Sequence, residues 1–594
     1  MEIYKLLDYS YMMQQKKKVK EKFAQATDLL EIKIAVLCGS TFGEVQDFLE
    51  VFLLHYGIKP MFLIGEYNRV YEEACFPNAA LKEFAPDIIL IHVTNKNLRS
   101  DFRCNESFEL SLYEEEQRLL QIWNLLEEQY HCMIIQNNFE YYPYRMIGNA
   151  ARTNEDGSVK YIDDINGFIS SYVRENNHLY LNDIHFLSSY VGLTNWYDDR
   201  MWYMYKYPMK MDVMPRYALN IANIIKSVLG KNKKTVITDL DNTLWGDIIG
   251  EVGVENIRLG YETPQGEKFV LLQQYLKYLS GHGVVLNICS KNEYETGISG
   301  IASKKSVLDA KDFAVKKINW KEKYENIQEI LEELNLLPEA AVFIDDSSME
   351  CDSVRAMLPE IAVLQMSNMT QTLQQMDTLS FFELPKETAE DKQRNQYYRE
   401  NIARNEEKGK YENYDDYLKS LEMTCYVDKA RKENIDRIVQ LFNKTNQFNF
   451  LTRRYTMEEV SELSRKPDIE MFVLELQDKF GSNGIVSVSI IRLCETDAYI
   501  DGWVMSCRVF ARGLEYVMLE LVCKLCMERG ICTLHGYYKK TLKNSKISNF
   551  FGDAGFKEER YDIENEVHEW TCRDIEGLLK ICKVDNIMIM QTNV

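Results

Sequence analysis

The sequence of 594 residues lacks long hydrophobic runs and any excess of positive charge. No stretch reaches the roughly 18 apolar residues that a membrane-spanning helix needs, and residues 1–5 lack the apolar core of a signal peptide. Asp and Glu number 91 against 70 Lys and Arg, a net charge of −21. So acidic a surface repels phosphate backbones and anionic lipid. We therefore expect a cytoplasmic protein with neither a nucleic-acid nor a membrane partner, but a local site for one small phosphorylated substrate stays open.

Paired cysteine motifs are also scarce, although the chain has 14 cysteines. The one CxxC pair, Cys523 and Cys526, lies within the predicted helix 514–529. Without a second pair it indicates helix packing rather than zinc or redox chemistry. We expect the cysteines to be reduced thiols, as is usual in the cytoplasm.

The length predicts three or four domains, at roughly 150 residues each. Short apolar strands alternate with helices in residues 1–230 and again in residues 231–368, which predicts parallel sheets covered by helices. Residues 369–424 are polar and charged and predict a helical connector with few core positions. Residues 425–594 return to a globular composition with strands and a helix. The expected fold class is therefore a multidomain α/β protein.

The strongest functional pattern is Asp239-Leu-Asp241, directly after the predicted strand 235–240. Carboxylates two residues apart on an extended strand face the same way. One can attack phosphorus while the other protonates the leaving oxygen. Two carboxylates repel a phosphate unless a divalent cation lies between them, so the pattern predicts Mg²⁺ bound by oxygen ligands. Thr243 lies in the following turn, near the expected anion.

Three further groups follow in an order that suits phosphate chemistry. Ser290 and Asn292 come at the end of the strand 284–289, where a hydroxyl can hold a phosphoryl oxygen. Lys323 lies near the start of a helix, where its ammonium can neutralise the phosphoryl group. The pair Asp345-Asp346 ends another strand and can complete a metal shell.

With these four motifs, residues 233–368 resemble the haloacid dehalogenase-like (HAD) phosphotransferase superfamily. The resemblance implies that Asp239 is the nucleophile and Asp241 the general acid/base, with Ser290 and Lys323 binding the phosphoryl group. It implies Asp346 as the direct ligand within the acidic pair. The complete expected set comprises phosphate-binding Thr243, Ser290, Asn292 and Lys323 and metal-binding Asp239, Asp241, Asp345 and Asp346.

Longer sequence segments resemble those of the FkbH-like branch of that superfamily. They are Asp239-Leu-Asp-Asn-Thr-Leu-Trp-Gly246, Cys289-Ser-Lys-Asn292, Ile318-Asn-Trp-Lys-Glu-Lys323, Leu441-Phe-Asn-Lys-Thr-Asn-Gln-Phe-Asn449, Arg453-Arg-Tyr455 and Met505-Ser-Cys-Arg508. The resemblance implies transfer of the glyceryl group of 1,3-bisphosphoglycerate, with loss of phosphate, onto an acyl carrier protein in polyketide or peptide biosynthesis. One departure is Ser347-Ser348, where the branch usually has Asn-Pro after the acidic pair.

The same resemblance assigns a covalent intermediate to the cysteine of this motif, Cys289. Thiolate attack on an acyl phosphate gives a thioester, so a thiol suits the chemistry. Neighbours on an ideal strand face opposite sides, however, so Cys289 and Ser290 share one site only if the strand end bends. Apolar packing of Cys289 is the open alternative.

The flanking domains resemble two other folds. Residues 1–230 look like a degenerate SGNH-hydrolase domain, with Ser40 in the nucleophile's place but no matching Asp-x-x-His, which favours a scaffold or carrier-docking role. Residues 425–594 resemble the GNAT acetyltransferase fold, whose loop would bind phosphopantetheine or coenzyme A through Arg508, Arg512 and Gly513. Ala511 replaces a glycine of that loop, and a remnant that only docks a partner is the alternative. Cys507 borders the loop as a second candidate thiol.

Three functions follow from the sequence. The leading prediction is a Mg²⁺-dependent acyltransferase and phosphatase that loads a glyceryl-type unit onto a carrier protein. A plain small-molecule phosphatase fused to an acetyltransferase-like domain is the first alternative, and a non-catalytic carrier-protein scaffold is the second.

Overall fold

A computed structural model describes residues 2–24, 26, 29–76, 79–98, 108–384, 386, 389–541, 543–562, 566–582 and 584–591. Side chains are described for these residues except 2, 24, 389–392, 458 and 507. The chain forms two compact units. The first unit comprises Met1–Val228 with Thr378–Lys386, and the second comprises Leu229–Asp377 with Glu387–Val594.

The first unit contains a parallel sheet with the strand order β2-β1-β3-β4-β5. Its strands are β1 (Leu30–Cys38), β2 (Ile58–Ile64), β3 (Ile88–His92), β4 (Met133–Asn137) and β5 (Leu179–Asn182). Its α-helices are α1 (Glu2–Lys5), α2 (Tyr9–Ala24), α3 (Gly43–His55), α4 (Val70–Cys75), α5 (Ala79–Phe84), α6 (Phe108–Tyr130), α7 (Ser158–Glu175), α8 (Ile184–Val191), α9 (Leu193–Trp196), α10 (Asp199–Tyr205) and α11 (Met214–Val228). All five residues of β3 are buried, as expected for a central parallel strand covered on both faces.

The second unit begins with another parallel sheet, in the order β10-β9-β6-β7-β8. Its strands are β6 (Thr235–Thr238), β7 (Val285–Ser290), β8 (Phe313–Ile318), β9 (Ala341–Asp345) and β10 (Ala362–Gln365). Its α-helices are α12 (Ile249–Val252), α13 (Pro264–Gly281), α14 (Tyr294–Ile301), α15 (Lys323–Glu333), α16 (Ser348–Met357) and α17 (Met369–Thr378). Strand β8 was not predicted from the sequence, because Lys316 and Lys317 interrupt its apolar pattern.

Parallel pairing brings the functional motifs to one edge of this sheet. Thr238, the last residue of β6, is in register with Ile288 of β7 and Ile344 of β9. The residues that follow, Asp239, Ser290 and Asp345, therefore meet at the carboxyl ends of adjacent strands. This is where open α/β sheets bind ligands.

The connector contains α18 (Ala389–Lys408) and α19 (Tyr414–Ser420). The expectation of few core positions was wrong, because Tyr397, Tyr398 and Arg404 of α18 are buried. Tyr398 packs in the core that includes β6, β7 and β9. Arg404 donates through Nε and Nη2 to the two carboxylate oxygens of Asp478, at 2.6 and 2.7 Å. The helix is an integral part of the second unit.

The C-terminal part of the second unit contains a mixed sheet in the order β16-β17-β15-β14-β13-β12-β11-β18. Its strands are β11 (Met423–Lys429), β12 (Ile469–Asp478), β13 (Gly481–Cys494), β14 (Asp497–Met505), β15 (Thr533–Lys539), β16 (Lys557–Asp562), β17 (Val567–Cys572) and β18 (Ile587–Gln591). Its α-helices are α20 (Ile435–Lys444), α21 (Met457–Leu463), α22 (Leu514–Glu528), α23 (Phe550–Asp553) and α24 (Ile575–Ile581). The predicted α/β fold class is confirmed.

No described helix combines the length and the apolar character that crossing a membrane requires.

Candidate active site

Three carboxylates form the centre of the candidate site. Asp239 follows β6, Asp345 ends β9, and Asp346 is the next residue. One carboxylate oxygen from each lies within 4.8 Å of the others. Asp239 and Asp345 are buried and Asp346 is half-buried. Of the three carboxylates, Asp346 is therefore the one most exposed to solvent.

Lys323, the first residue of α15, supplies the positive charge of the site. Its Nζ lies 2.6 Å from Oδ2 of Asp345 and 3.1 Å from Oδ1 of Asp239. Although burial opposes its charge, the carboxylates of Asp239 and Asp345 raise the pKa of Lys323. The side chain is only 5% exposed, so the ammonium is held in the site. Lys323 therefore lies beside Asp239, the predicted nucleophile.

The crowded carboxylates suit a hard divalent cation. Burial, followed by the charge of Asp239, raises the pKa of Asp345 to about 7. The same two causes raise the pKa of Asp346. A dication between these oxygens would relieve the repulsion, and an all-oxygen donor set is the kind that Mg²⁺ prefers. Asp239, Asp345 and Asp346 therefore fit the predicted metal site.

Asp241, also predicted as a metal ligand, lies outside this carboxylate cluster. Its Oδ1 accepts hydrogen bonds from Trp245 Nε1 at 2.8 Å and from the backbone N–H of Ile249 at 3.0 Å. Its Oδ2 accepts from Asn292 Nδ2 at 3.0 Å. The turn after β6, with Asn242 at φ 55°, separates two carboxylates that an ideal strand would align.

Asn292, a predicted phosphate-binding residue, contacts Asp241 in this structure. Its Nδ2 donates to Asp241, and its Oδ1 accepts from the backbone N–H of Glu293 at 2.9 Å. Ser290 is buried at the end of β7. Thr243 is buried too, and its Oγ1 has no hydrogen-bond partner among the described residues. Ser290 and Thr243 remain the predicted phosphate-binding hydroxyls.

Cys289 lies in the hydrophobic core, a position that favours the alternative of apolar packing over the predicted role of catalytic thiol. The side chain is fully buried, together with Ile237 and Phe343. Its Sγ donates to the backbone carbonyl of Lys323 at 3.5 Å. Burial raises the pKa of the Cys289 thiol well above its ordinary value. Ser290, the next residue and the last of β7, is buried as well.

The predicted cofactor loop of the C-terminal part is covered by the connector. Arg512 is buried and its Nη2 donates to Asn401 of α18 at 2.9 Å. The guanidinium of Arg508 lies 4.4 Å from the ring centre of Tyr397, another residue of α18. Tyr414 of α19 donates to the carbonyl of Ala511 at 3.0 Å. The loop arginines thus serve internal packing.

Gly513 begins α22 with φ 93°, which explains the glycine there. A Cβ at this position would lie 3.2 Å from Val584. The binding of pantetheine or coenzyme A by Arg508, Arg512 and Gly513 stays a prediction, which the contacts of both arginines with α18 disfavour. The side chain of Cys507 lies outside the described residues.

The space between β14 and β15 is filled by the chain itself. The two strands pair only from Asp497–Thr533 to Ile500–Gly536. Beyond that point the segment 448–450 lies between them. Phe450 donates its N–H to the carbonyl of Trp503 at 3.3 Å and accepts from the N–H of Lys539 at 2.7 Å. An extended prosthetic arm would have to displace these backbone contacts.

Ser40 of the first unit has a histidine partner that the sequence did not reveal. Its Oγ lies 2.9 Å from Nε2 of His92, whose Nδ1 lies 2.7 Å from the hydroxyl of Tyr217. His92 ends β3, whereas sequence analysis sought an Asp-x-x-His motif. All three residues are buried, and burial lowers the pKa of His92 to about 3. A scaffold role for this unit remains a prediction.

Comparison with known proteins bears on the first unit most directly. Residues 54–226 match the family model described as FkbH, N-terminal domain. The FkbH resemblance is confirmed. No curated protein matches the chain.

One solved structure is similar to this chain in fold over more than half of its length. The N-terminal part of BF1531 from Bacteroides fragilis, described as containing a phosphatase domain complexed with Mg, aligns with a TM-score of 0.59 and 24% identity. The alignment covers 62% of this chain and 99% of that one. The ribosomal-protein-S18-alanine N-acetyltransferase of Escherichia coli aligns over 25% of this chain and 91% of its own, with 11% identity and a TM-score of 0.20.

Proposed function

We propose that the protein is a Mg²⁺-dependent HAD-type phosphatase and acyltransferase that acts on 1,3-bisphosphoglycerate or a related acyl phosphate. Its acceptor is the phosphopantetheine thiol of an acyl carrier protein. The single observation that carries the phosphatase part is the contact of Lys323 with Asp239 and Asp345 beside Asp346. The FkbH resemblance supports the choice of substrate and carrier.

The phosphate ester of such a substrate is removed in two steps. A carboxylate oxygen of Asp239 attacks phosphorus and the bond from phosphorus to the alcohol oxygen breaks, while Asp241 gives that oxygen a proton. Water then attacks the aspartyl phosphate, gives its proton to Asp241 and releases inorganic phosphate. Lys323 neutralises the phosphoryl oxygens. A Mg²⁺ ion held by Asp239, Asp345 and Asp346 would supply further stabilisation of negative charge.

The acyl phosphate end reacts at its carbonyl carbon. A thiolate forms the new C–S bond, the C–O bond to phosphate breaks, and phosphate leaves. Because Cys289 is buried and hydrogen-bonded to Lys323, we propose that the carrier's own thiol attacks directly. No thioester on the enzyme is needed.

The test is the intact mass of a carrier protein after incubation with 1,3-bisphosphoglycerate, Mg²⁺ and the full-length protein. We expect a glyceryl adduct that is free of phosphate. Asp239→Asn should leave the phosphate ester on any acyl group that is transferred. Absence of an adduct on every phosphopantetheinylated carrier tried would contradict the acyl-transfer part.

The buried Cys289 favours one alternative, a phosphatase that hydrolyses a small phosphate ester without acyl transfer. That enzyme would release phosphate in the presence of Mg²⁺ and lose this activity in Asp239→Asn, but it would never modify a carrier.

A further inference from the structure

Asp241 is separated from the metal-binding carboxylates by a set of three hydrogen bonds. Two N–H donors, from Trp245 and Ile249, occupy Oδ1, and the amide of Asn292 occupies Oδ2. Asp239 is only two residues away, yet the cluster that could hold a metal includes Asp239 and not Asp241. The side chain of Asp241 is therefore directed by its donors.

The donors are themselves rigidly placed. Trp245 is 1% exposed, and a Cβ at Gly300 would lie 2.6 Å from Cη2 of its ring. The indole thus packs directly against helix α14, which contains Gly300. Asn292 is anchored by its own bond to the backbone N–H of Glu293. Both donors are therefore held by contacts other than their hydrogen bonds to Asp241.

We propose that Trp245 and Asn292 are positioning residues that keep the carboxylate of Asp241 out of the metal shell formed by Asp239, Asp345 and Asp346. The inference rests on the proposed function, because a carboxylate bound to a metal ion cannot also exchange a proton with the leaving oxygen. Groups that orient active-site ligands from outside the reacting centre commonly change activity or metal affinity by roughly 10- to 100-fold.

The principal test is Mg²⁺ binding, measured by isothermal titration calorimetry on the full-length protein. Trp245→Phe removes the N–H donor and retains an aromatic ring. We expect it to bind Mg²⁺ more tightly than the wild type, because Asp241 can now join the shell. Adding Asp241→Asn to Trp245→Phe should return the affinity to the wild-type value. Asp241→Asn alone should leave Mg²⁺ affinity unchanged, whereas Asp346→Asn should lower it.

Trp320→Phe is the matched control. The indole of Trp320 also donates to a carboxylate, Glu293, at 2.8 Å, but it is 67% exposed and does not contact Asp241. This variant should bind Mg²⁺ as the wild type does.

If Trp245→Phe does not fold, Asn292→Ala tests the hydrogen bond to the other carboxylate oxygen of Asp241. The same increase in Mg²⁺ affinity is expected.

A kinetic measurement adds a second readout. With p-nitrophenyl phosphate as the probe, Trp245→Phe should lower kcat by roughly 10- to 100-fold and leave KM unchanged. Unchanged Mg²⁺ affinity in both Trp245→Phe and Asn292→Ala would overturn the inference. A wild-type protein that binds Mg²⁺ but releases no phosphate would instead overturn the proposed function, and the binding data would still decide the position of Asp241.

Discussion

The thiol of Cys289 donates a hydrogen bond to the backbone carbonyl of Lys323, with Sγ and O 3.5 Å apart. The same lysine directs its ammonium to Asp239 and Asp345. The buried thiol thus contacts the backbone of the residue whose ammonium reaches both carboxylates. Cys351 is similarly placed, with its Sγ donating to the carbonyl of Asp345 at 3.6 Å.

Cys289→Ala should therefore leave carrier loading intact. Its expected cost is about 1 kcal/mol of the free energy of unfolding, a usual value for a single substitution. Intact-mass measurement of the loaded carrier checks the first expectation and urea denaturation the second. Loss of loading in a variant that retains phosphate release would restore the covalent role of Cys289.

Lys323→Met should reduce phosphate release by about 10²- to 10³-fold, the usual cost of removing one charge-stabilising donor. The remaining carboxylates of Asp239 and Asp345 would also repel the phosphoryl group. Lys321→Met is the control, because Lys321 lies just before α15, two residues from Lys323, but forms an exposed ion pair with Glu329. Equal rates in the two variants, measured with p-nitrophenyl phosphate, would contradict the role of Lys323.

The bidentate pair of Arg404 and Asp478 should be essential to the second unit. Asp478→Ala removes the bidentate partner of the buried Arg404 and leaves it only the longer contact with Glu400 at 3.5 Å. Breaking a buried pair costs about 3–5 kcal/mol. We expect a clearly lower urea midpoint. The double change Arg404→Met and Asp478→Leu should cost less than Asp478→Ala, because Arg404 then no longer buries a charge that has lost Asp478, although Arg512 still loses its contact with Asp478 at 3.4 Å. A double variant less stable than the single one would contradict this explanation.

Coenzyme A should not bind to the second unit. Arg508 and Arg512 are engaged by the connector, and the segment 448–450 fills the space between β14 and β15. Calorimetry with coenzyme A should give no heat of binding, and Arg512→Ala should lower the melting temperature. Saturable binding that Arg512→Ala abolishes would show that the loop binds ligand after all.

The sequence was sufficient to place the catalytic edge. A strand of apolar residues before Asp239, and others before Ser290 and Asp345, determine which ends meet in a parallel sheet. Lys323 was found through its place in the motif order and lies where that order predicts. These inferences succeed because strand order and local pattern determine them.

The remaining assignments depend on tertiary contacts that no local pattern encodes. Asp241 lies away from the cluster because a tight turn follows it and the indole N–H of Trp245 donates a hydrogen bond to its carboxylate. Arg512 is bound by Asn401, more than a hundred residues earlier in the chain. His92 pairs with Ser40 from another strand. Spacing rules cannot reveal such partners, because the partners lie far apart in the sequence.

The most direct test of the central claim is Mg²⁺-dependent phosphate release from p-nitrophenyl phosphate by the wild-type protein and by Asp239→Asn. The account predicts release by the wild type that requires Mg²⁺ and is abolished in Asp239→Asn, with both proteins equally folded by circular dichroism. Equal release by the two proteins, or no release by a folded wild type supplied with Mg²⁺, would contradict it.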